Sequence, residues 1–362
     1  MLIMRILEVI PSLQAGGAEV FIVNLCNEIC RHQGVSITLL TFYKSDNCFL
    51  SSKLNPAINL VQISKSKGFD IKLMFRLCSF IKKGKYDVTH FHVNAITYAL
   101  LPAIRKICRC YATIHNDAFR EATGFHRFIR YVLFRFNMVL PITISHQSDV
   151  SFHKLYGYSI PTTVIYNGVP RHILTSGFSL KKYKITNNTK IFIIAAAITP
   201  VKNELAVVKA IQCLIDEGED IVLIIVGREA NVQYTQQIKN MTSQRIYYLG
   251  EVINPVDYMC CGDYFVLASH FEGLPISLLE SVSVGCIPIV TPVGGCKDVV
   301  RDEHNGFIIE TQKESDIYKT IKKVLHYPID STEDIRKQIV SDANQYSISY
   351  CSNSYLSLFN RI

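Results

Sequence analysis

Residues 263–295 read DYFVLASHFEGLPISLLESVSVGCIPIVTPVGG. Residues 264–268 form an apolar run of strand length. A polar loop, 269–273, follows and carries His270 and Glu272. Pro275 suits the first turn of a helix, where the N–H it lacks has no partner anyway. That helix is predicted to run to about Val284, with Gly285 as its stop. A second strand, 287–291, is closed by Pro292 and the pair Gly294-Gly295. Strand, helix, strand puts the loop at the carboxyl end of a parallel sheet, where open α/β sheets bind ligands.

The chemistry concentrates at the loop and the helix start. Main-chain N–H groups around Gly273, Leu274, Pro275, Ile276 and Ser277 are free to face an anion or sugar oxygens. Glu272 precedes the helix, and Glu280 lies eight residues on, well along the axis at 1.5 Å per residue. Two carboxylates so spaced do not flank one glycosidic bond as a hydrolase pair must. They suit two parts of one elongated, hydroxyl-rich ligand. Spacing alone also allows a plain reading, an acidic helix start plus one paired, buried Glu.

The order Glu272-Gly273-Leu274-Pro275, Ser277-Leu278-Leu279-Glu280, Gly285, Pro288 and Thr291-Pro292-Val293-Gly294-Gly295 resembles the signature of glycosyltransferase family 4. That resemblance implies a GT-B fold, two Rossmann-like doubly wound α/β domains facing a central cleft. It also implies a retaining transferase that uses a nucleotide sugar. On this likeness Glu272 holds the donor sugar's hydroxyls, the amides of 273–277 face sugar and pyrophosphate, and Glu280 binds the ribose.

At 362 residues the chain has room for two domains. Apolar residues make up 49% and charged residues 19%, the composition of a globular protein. No apolar run approaches the roughly 18 residues of a membrane span. The apolar start, interrupted by Arg5, reads as a first strand rather than a signal peptide. The twelve cysteines show no CxxC and no metal-ligand spacing, so reduced thiols are expected. Charge is uneven. Residues 1–178 hold 20 Lys and Arg against 9 Asp and Glu, a net of +11, while residues 179–362 net −3. A basic first half suggests an anionic partner.

From the amino end, a strand over 5–10 leads into Gly16-Gly17-Ala18-Glu19 and an amphipathic helix to about His32. Strand, glycine loop, helix is a phosphate-cradle order, though a plain tight turn has the same glycines. The pattern also looks like the first loop of family 4 enzymes, beside the donor phosphates and the acceptor. Strands near 36–42, 88–93, 111–115 and 138–144 alternate with helices near 70–83 and 95–107, which predicts a parallel sheet. His90 and His92 share the 88–93 strand, and at most one of them is expected to face the cleft. His115 ends the next strand, and Thr113-Ile114-His115 resembles the family's strand-end histidine that contacts the donor sugar.

Residues 103–135 carry Arg105, Lys106, Arg109, Arg120, Arg127, Arg130 and Arg135 among many aromatic residues. A helix over 124–137 would have the makeup of one lying at a membrane interface, or of a core-facing helix with solvated arginines. No nucleic-acid module appears, and none is expected as a partner. Ser145 reads as a helix cap. The Asn167-Gly168 turn resembles the one that ends the family's first domain, which places that domain at 1–170, followed by an irregular linker, 171–189. The second domain, 190–344, opens with a strand at 191–197 and the loop Ile198-Thr199-Pro200-Val201-Lys202-Asn203. Family members carry an Arg and a Lys in this loop, both aimed at the pyrophosphate. Lys202 matches the Lys, but Ala197 stands where the Arg is usual, which leaves Arg228 as a candidate substitute. Residues 345–362 are expected as a helix crossing back to the first domain.

The resemblance implies transfer from a nucleotide diphosphate sugar, UDP-linked by family frequency, with His115, Glu272 and Lys202 at the chemistry. Gly16, Gly17 and Arg228 join the donor-binding set. No Asp-x-Asp motif is present, so no metal site and no obligatory metal or other cofactor is expected. The acceptor is expected to be a glycan on a lipid phosphate, in surface polysaccharide or lipopolysaccharide assembly, with a cytoplasmic protein peripheral at the inner membrane face. Two rival readings are a nucleotide-sugar 2-epimerase of the same fold and a non-catalytic sugar-nucleotide binder.

Overall fold

A computed structural model describes residues 3–14, 16–43 and 49–360. The chain divides into two compact units, Met1–Pro170 with Ile348–Ile362, and Arg171–Ser347.

The first unit is built on seven parallel strands: β1 (Met4–Ile10), β2 (Val35–Thr41), β3 (Asn59–Gln62), β4 (Val88–His92), β5 (Arg109–Ile114), β6 (Leu140–Thr143) and β7 (Thr163–Val164). Their order is β3-β2-β1-β4-β5-β6-β7. Residues 6–10 are all buried, as expected for a strand covered on both faces. The sheet grows outward from β1 in both directions, so β1 and β4 flank the point where the winding reverses. In register, Glu8 stands beside His90.

The second unit repeats that order with six parallel strands: β8 (Lys190–Ala195), β9 (Ile221–Val226), β10 (Ile246–Tyr248), β11 (Tyr264–Leu267), β12 (Ile287–Val290) and β13 (Phe307–Ile308). The sheet runs β10-β9-β8-β11-β12-β13, so its reversal lies between β8 and β11.

Several local expectations change. Residues 171–189, read as a linker, belong to the second unit, where His172 Nε2 and the Thr175 N–H and hydroxyl bond to the buried Asp257. The continuous helix over 95–107 is instead a 3-10 turn, Val93–Ala99, then a short helix, Leu100–Ile104. It begins at Val93 with φ +52°, a left-handed conformation that a β-branched residue rarely adopts. Pro275 sits one position before its helix, Ile276–Ser283, rather than inside it. Strand β3 and the helices Val232–Lys239 and Pro255–Cys261 were not read from the sequence at all. Their patterns are short and their apolar periods incomplete.

Other signals hold. Ser145 caps the helix His146–Tyr156 in a reciprocal box with Ser148. Gly285, at φ +75°, follows the helix Ile276–Ser283. The last helix, Ile348–Phe359, packs on the first unit: the Tyr111 hydroxyl donates to the Leu358 carbonyl at 3.3 Å, and Thr113 and Tyr355 share a bond of 3.0 Å. The described cysteines are all unbridged. Among the described residues, no helix is long and apolar enough to cross a membrane.

Candidate functional site

In the second unit two loops meet at the reversal point, one after β8 and one after β11. Lys202 lies in the first and Glu272 in the second, seventy positions apart. Their Nζ and Oε1 are 2.6 Å apart, with Glu272 8% exposed and Lys202 26%. The same carboxylate oxygen accepts from Ser269 Oγ at 2.6 Å. Main-chain bonds lock the loops together. His270 N–H donates to the Val201 carbonyl at 2.8 Å, and Asn203, at φ +60°, donates from its amide to the carbonyls of Ala268 and Gln312.

Two glycines permit close approach. A Cβ on Gly294, at φ +50°, would lie 2.1 Å from the Glu272 carbonyl oxygen. Gly295 N–H bonds to the Gly273 carbonyl at 2.6 Å, so the 294–295 turn holds the Glu272 loop in shape. A Cβ on Gly227, at φ +153°, would lie 1.7 Å from the Ala196 carbonyl oxygen, where the β9 end meets the β8 end. Only glycine fits either place.

The helix Ile276–Ser283 has no side-chain cap, so its first N–H groups carry the positive end of the helix dipole. Glu280 is half-buried on this helix. Arg228 is exposed, and no hydrogen bond or ion pair joins its side chain to Lys202 or Glu272. Its carbonyl accepts from Ile198 N–H at 3.0 Å, which ties its main chain to the Lys202 loop. Ala197 stands in that loop without a charge to offer. Close by, burial pushes the Glu204 carboxyl up to about 8, only partly opposed by main-chain hydrogen bonds and the charge of Lys202. Sequence reading missed Glu204, because an acidic residue at a helix start looks like ordinary dipole matching.

The first unit holds a second cluster at its own reversal point. Gly16 is the N-cap of the helix Gly17–Ile29, with φ −139° and no side-chain cap bond. Neither glycine of the pair needs a left-handed backbone. On β1, Glu8 is fully buried. One of its oxygens, Oε2, lies 2.9 Å from His90 Nδ1 and 2.8 Å from His92 Nε2. His92 Nδ1 lies 2.9 Å from His115 Nε2, and His90 Nε2 lies 2.7 Å from Thr113 Oγ1. His90 and His92, of which at most one was expected to face the cleft, are both fully buried and point the same way. Residues two apart on a strand share a face, and both meet the same carboxylate. Glu8 was not singled out from sequence, since one acid in an apolar strand gives no pattern.

Burial alone would raise the Glu8 carboxyl, but His90 and His92 outweigh it and hold it at about 2. Burial and the neighbouring His90 bring His92 down to about 4, against the pull of Glu8. Burial, then His92 and His90, depress His115 well below the usual imidazole range. His115 N–H donates to Glu121 Oε1 at 2.5 Å, and Glu121 pairs with the buried Arg130 at 2.8 Å. Arg130 in turn donates to the Val93 carbonyl at 2.7 Å, which secures the left-handed turn. Glu8, His90 and His92 are also close enough to surround a metal ion. His92 makes a hydrogen bond to that carboxylate, while His90 Nδ1 approaches it to 2.9 Å without hydrogen-bond geometry.

Arg130 thus leaves the cationic edge predicted for 103–135, because its guanidinium is spent inside. Arg127 is half-buried and donates to the carbonyls of Ala122 and Phe119, while the other cations of that stretch face outward. Arg105, Lys106, Arg109, Arg120 and Arg135 are exposed. So are Phe119, Phe125, Phe128, Tyr131 and Phe136. A cavity of about 430 Å³ opens beside them, with Phe69 and Tyr98 stacked in its wall and Lys65, Arg120 and His126 on its rim.

Similarity to known proteins agrees with this architecture. The pattern of Glycosyltransferase Family 4 matches residues 15–172, and that of Glycosyl transferases group 1 matches residues 177–343. An Escherichia coli UDP-Gal:alpha-D-GlcNAc-diphosphoundecaprenol alpha-1,3-galactosyltransferase is 26% identical over 81% of this chain and 77% of its own. A Campylobacter jejuni alpha-1,4-N-acetyl-D-galactosaminyltransferase that acts on an undecaprenol-diphosphate glycan is 24% identical over 99% of both chains. The crystal structure of Anabaena Alr3699/HepE in complex with UDP-glucose superposes with a TM-score of 0.79 at 17% identity, over 99% of this chain and 100% of that one. With two reversal-point sheets of this order and family patterns along both, the chain is a GT-B glycosyltransferase of family 4.

Proposed function

We propose that this chain transfers a sugar, with retention, from a UDP-linked donor to a hydroxyl of a glycan carried on a polyprenyl diphosphate. The observation that carries this reading is the Lys202–Glu272 pair, gathered at the carboxyl ends of β8 and β11 beside an uncapped helix start. A diphosphate competes with Glu272 for the Lys202 ammonium and takes further stabilisation from the helix N–H groups. Glu272, released, accepts from sugar hydroxyls. Glu280, eight residues further on, takes the ribose hydroxyls. Arg228, whose main chain is tied to the Lys202 loop, supplies the cation that Ala197 does not.

In the reaction the bond between the sugar C1 and the diphosphate oxygen breaks, and the electron pair leaves with the diphosphate. The acceptor oxygen attacks from the same face, and its proton passes to the departing phosphate oxygen. Lys202 and the helix dipole stabilise the charge growing on that leaving group. The relatives named above support a lipid-linked acceptor. The exposed arginines and aromatic rings of 103–135 support contact with an anionic leaflet, where such an acceptor sits. Ala197 also favours a second reading, a binder that recognises sugar nucleotides without turning them over.

The test pairs two measurements. Sugar nucleotides are first screened for thermal stabilisation, since a ligand of the folded state raises its melting temperature. The best donor is then incubated with polyprenyl-diphosphate glycans. Transfer supports the proposal, stabilisation without transfer supports the binder, and release of a free epimer from donor alone supports a 2-epimerase.

A further inference from the structure

The hydrogen bonds of the buried cluster in the first unit set a proton order once its imidazoles are neutral. A carboxylate only accepts hydrogen bonds, so the His92 nitrogen facing Glu8, Nε2, must carry a hydrogen. In a neutral imidazole the other nitrogen is then bare. His92 Nδ1 is therefore an acceptor, and its partner at 2.9 Å, His115 Nε2, must be the donor. His115 Nδ1 is left bare in its turn. That atom is buried and has no partner in the protein. The depressed proton affinity of both rings keeps them neutral near pH 7.

We propose that Glu8 and His92 are positioning residues that lock His115 as its Nε2–H tautomer, so that Nδ1 is a fixed acceptor reserved for a substrate group bringing its own hydrogen. The group it takes is a sugar hydroxyl or amide N–H. A carboxylate or phosphate oxygen offers only lone pairs and is refused. This recognition half rests on the transferase reading above, whereas the tautomer lock stands without it. The surroundings hold the ring in place. Phe21 meets it edge-on at 6.0 Å, Glu121 fixes its main chain, and Tyr355 closes over His90 at 5.2 Å.

The decisive experiment is long-range proton–nitrogen correlation of the imidazoles in nitrogen-15-labelled full-length protein at neutral pH. A His115→Gln variant assigns the signals. The expected result is His115 protonated on Nε2 and bare on Nδ1, unchanged as the pH is lowered to 5. A hydrogen on Nδ1, a charged His115, or a metal ion found by elemental analysis at Glu8, His90 and His92 overturns the lock. Kinetics supply the second arm. His92→Gln keeps an acceptor for His115 and a donor for Glu8, and is expected to stay within a few-fold of the parent in kcat/KM. His92→Phe keeps the bulk without either bond and is expected to fall about tenfold. Equal losses in the two variants, at equal melting temperatures, overturn the positioning role. Failure of every sugar nucleotide to react counts against the transferase reading alone, because the tautomer is read on the free protein.

Discussion

At the reversal point of the first sheet, the side chains of Glu8, His90 and His92 are closed off from solvent. At that of the second, Lys202 keeps 26% of its surface beside Glu272. Strand order and the crevice it creates are the same in both. What differs is how the polar groups are satisfied. In the first unit Glu8 bonds to His92, His92 to His115 and His90 to Thr113 across β1, β4 and β5, while Glu8 Oε1 and His115 Nδ1 stay buried without a partner. In the second a cation and an anion answer each other from two loops beside a helix start that has no side-chain cap. One backbone plan thus makes a closed, buried cluster and a half-open site with groups to lend.

The largest effect separates these roles. Glu272→Ala is expected to lower turnover 10²–10³-fold, roughly 3–4 kcal/mol of transition-state stabilisation, with little change in melting temperature. Initial rates and calorimetry on the same preparation check it. Glu8→Ala should do the reverse. Removing one member of a buried, paired cluster costs about 3–5 kcal/mol of stability, read as a lower melting temperature. Were Glu8→Ala as stable as the parent, the first cluster would not have a stabilising role.

Next in size are opposite responses to pH. Glu8 is held at about 2, below its ordinary 4.5, so its stabilising share is present above pH 4.5 and is lost as pH falls through 2. His92 is held at about 4, below 6.5, so its share is present above pH 6.5 and is lost as pH falls through 4. Glu204 is raised to about 8, so its share is full below pH 4.5 and is lost as pH rises through 8. Melting curves should therefore fall on both sides of neutrality, and Glu204→Gln should remove only the alkaline fall. Each kcal/mol is worth roughly 2–4 °C for a chain of this size.

Smaller still is the surface effect. Phe128→Ser and Arg135→Ser together are expected to weaken binding to anionic vesicles several-fold, and added salt should do the same to the parent. Cosedimentation measures both, and transfer to a soluble acceptor should not change. Last comes an expected null: EDTA leaves the transfer rate unaltered, as a site that neutralises a diphosphate with Lys202 and helix dipoles requires. A rate lost to EDTA and restored by a divalent ion would send that charge to a metal instead.

Much of this was legible along the chain. The 263–295 segment carries its strand, loop, helix and strand as consecutive local signals, with Pro275 and Gly285 as punctuation. Ser145, Gly285 and the amphipathic last helix likewise act within a few residues of themselves, where propensity and hydrophobic period decide the outcome. Arg130 shows where such reading stops. Arg135, on the same helix, is exposed, and only the fold supplies Glu121 and the Val93 carbonyl that draw Arg130 inside.

The sequence by itself determined the alternation of strands and helices, the two-sheet plan and the residues that end their strands, because those depend on short-range sterics and on which side chains must leave water. Only the tertiary structure decided that Glu8 meets two histidines some eighty positions away, that Lys202 and Glu272 answer each other, and that His115 keeps a bare nitrogen. Hydrogen bonding acts over about 3 Å, and which atoms come that close is set by strand register and loop closure across distant parts of the chain.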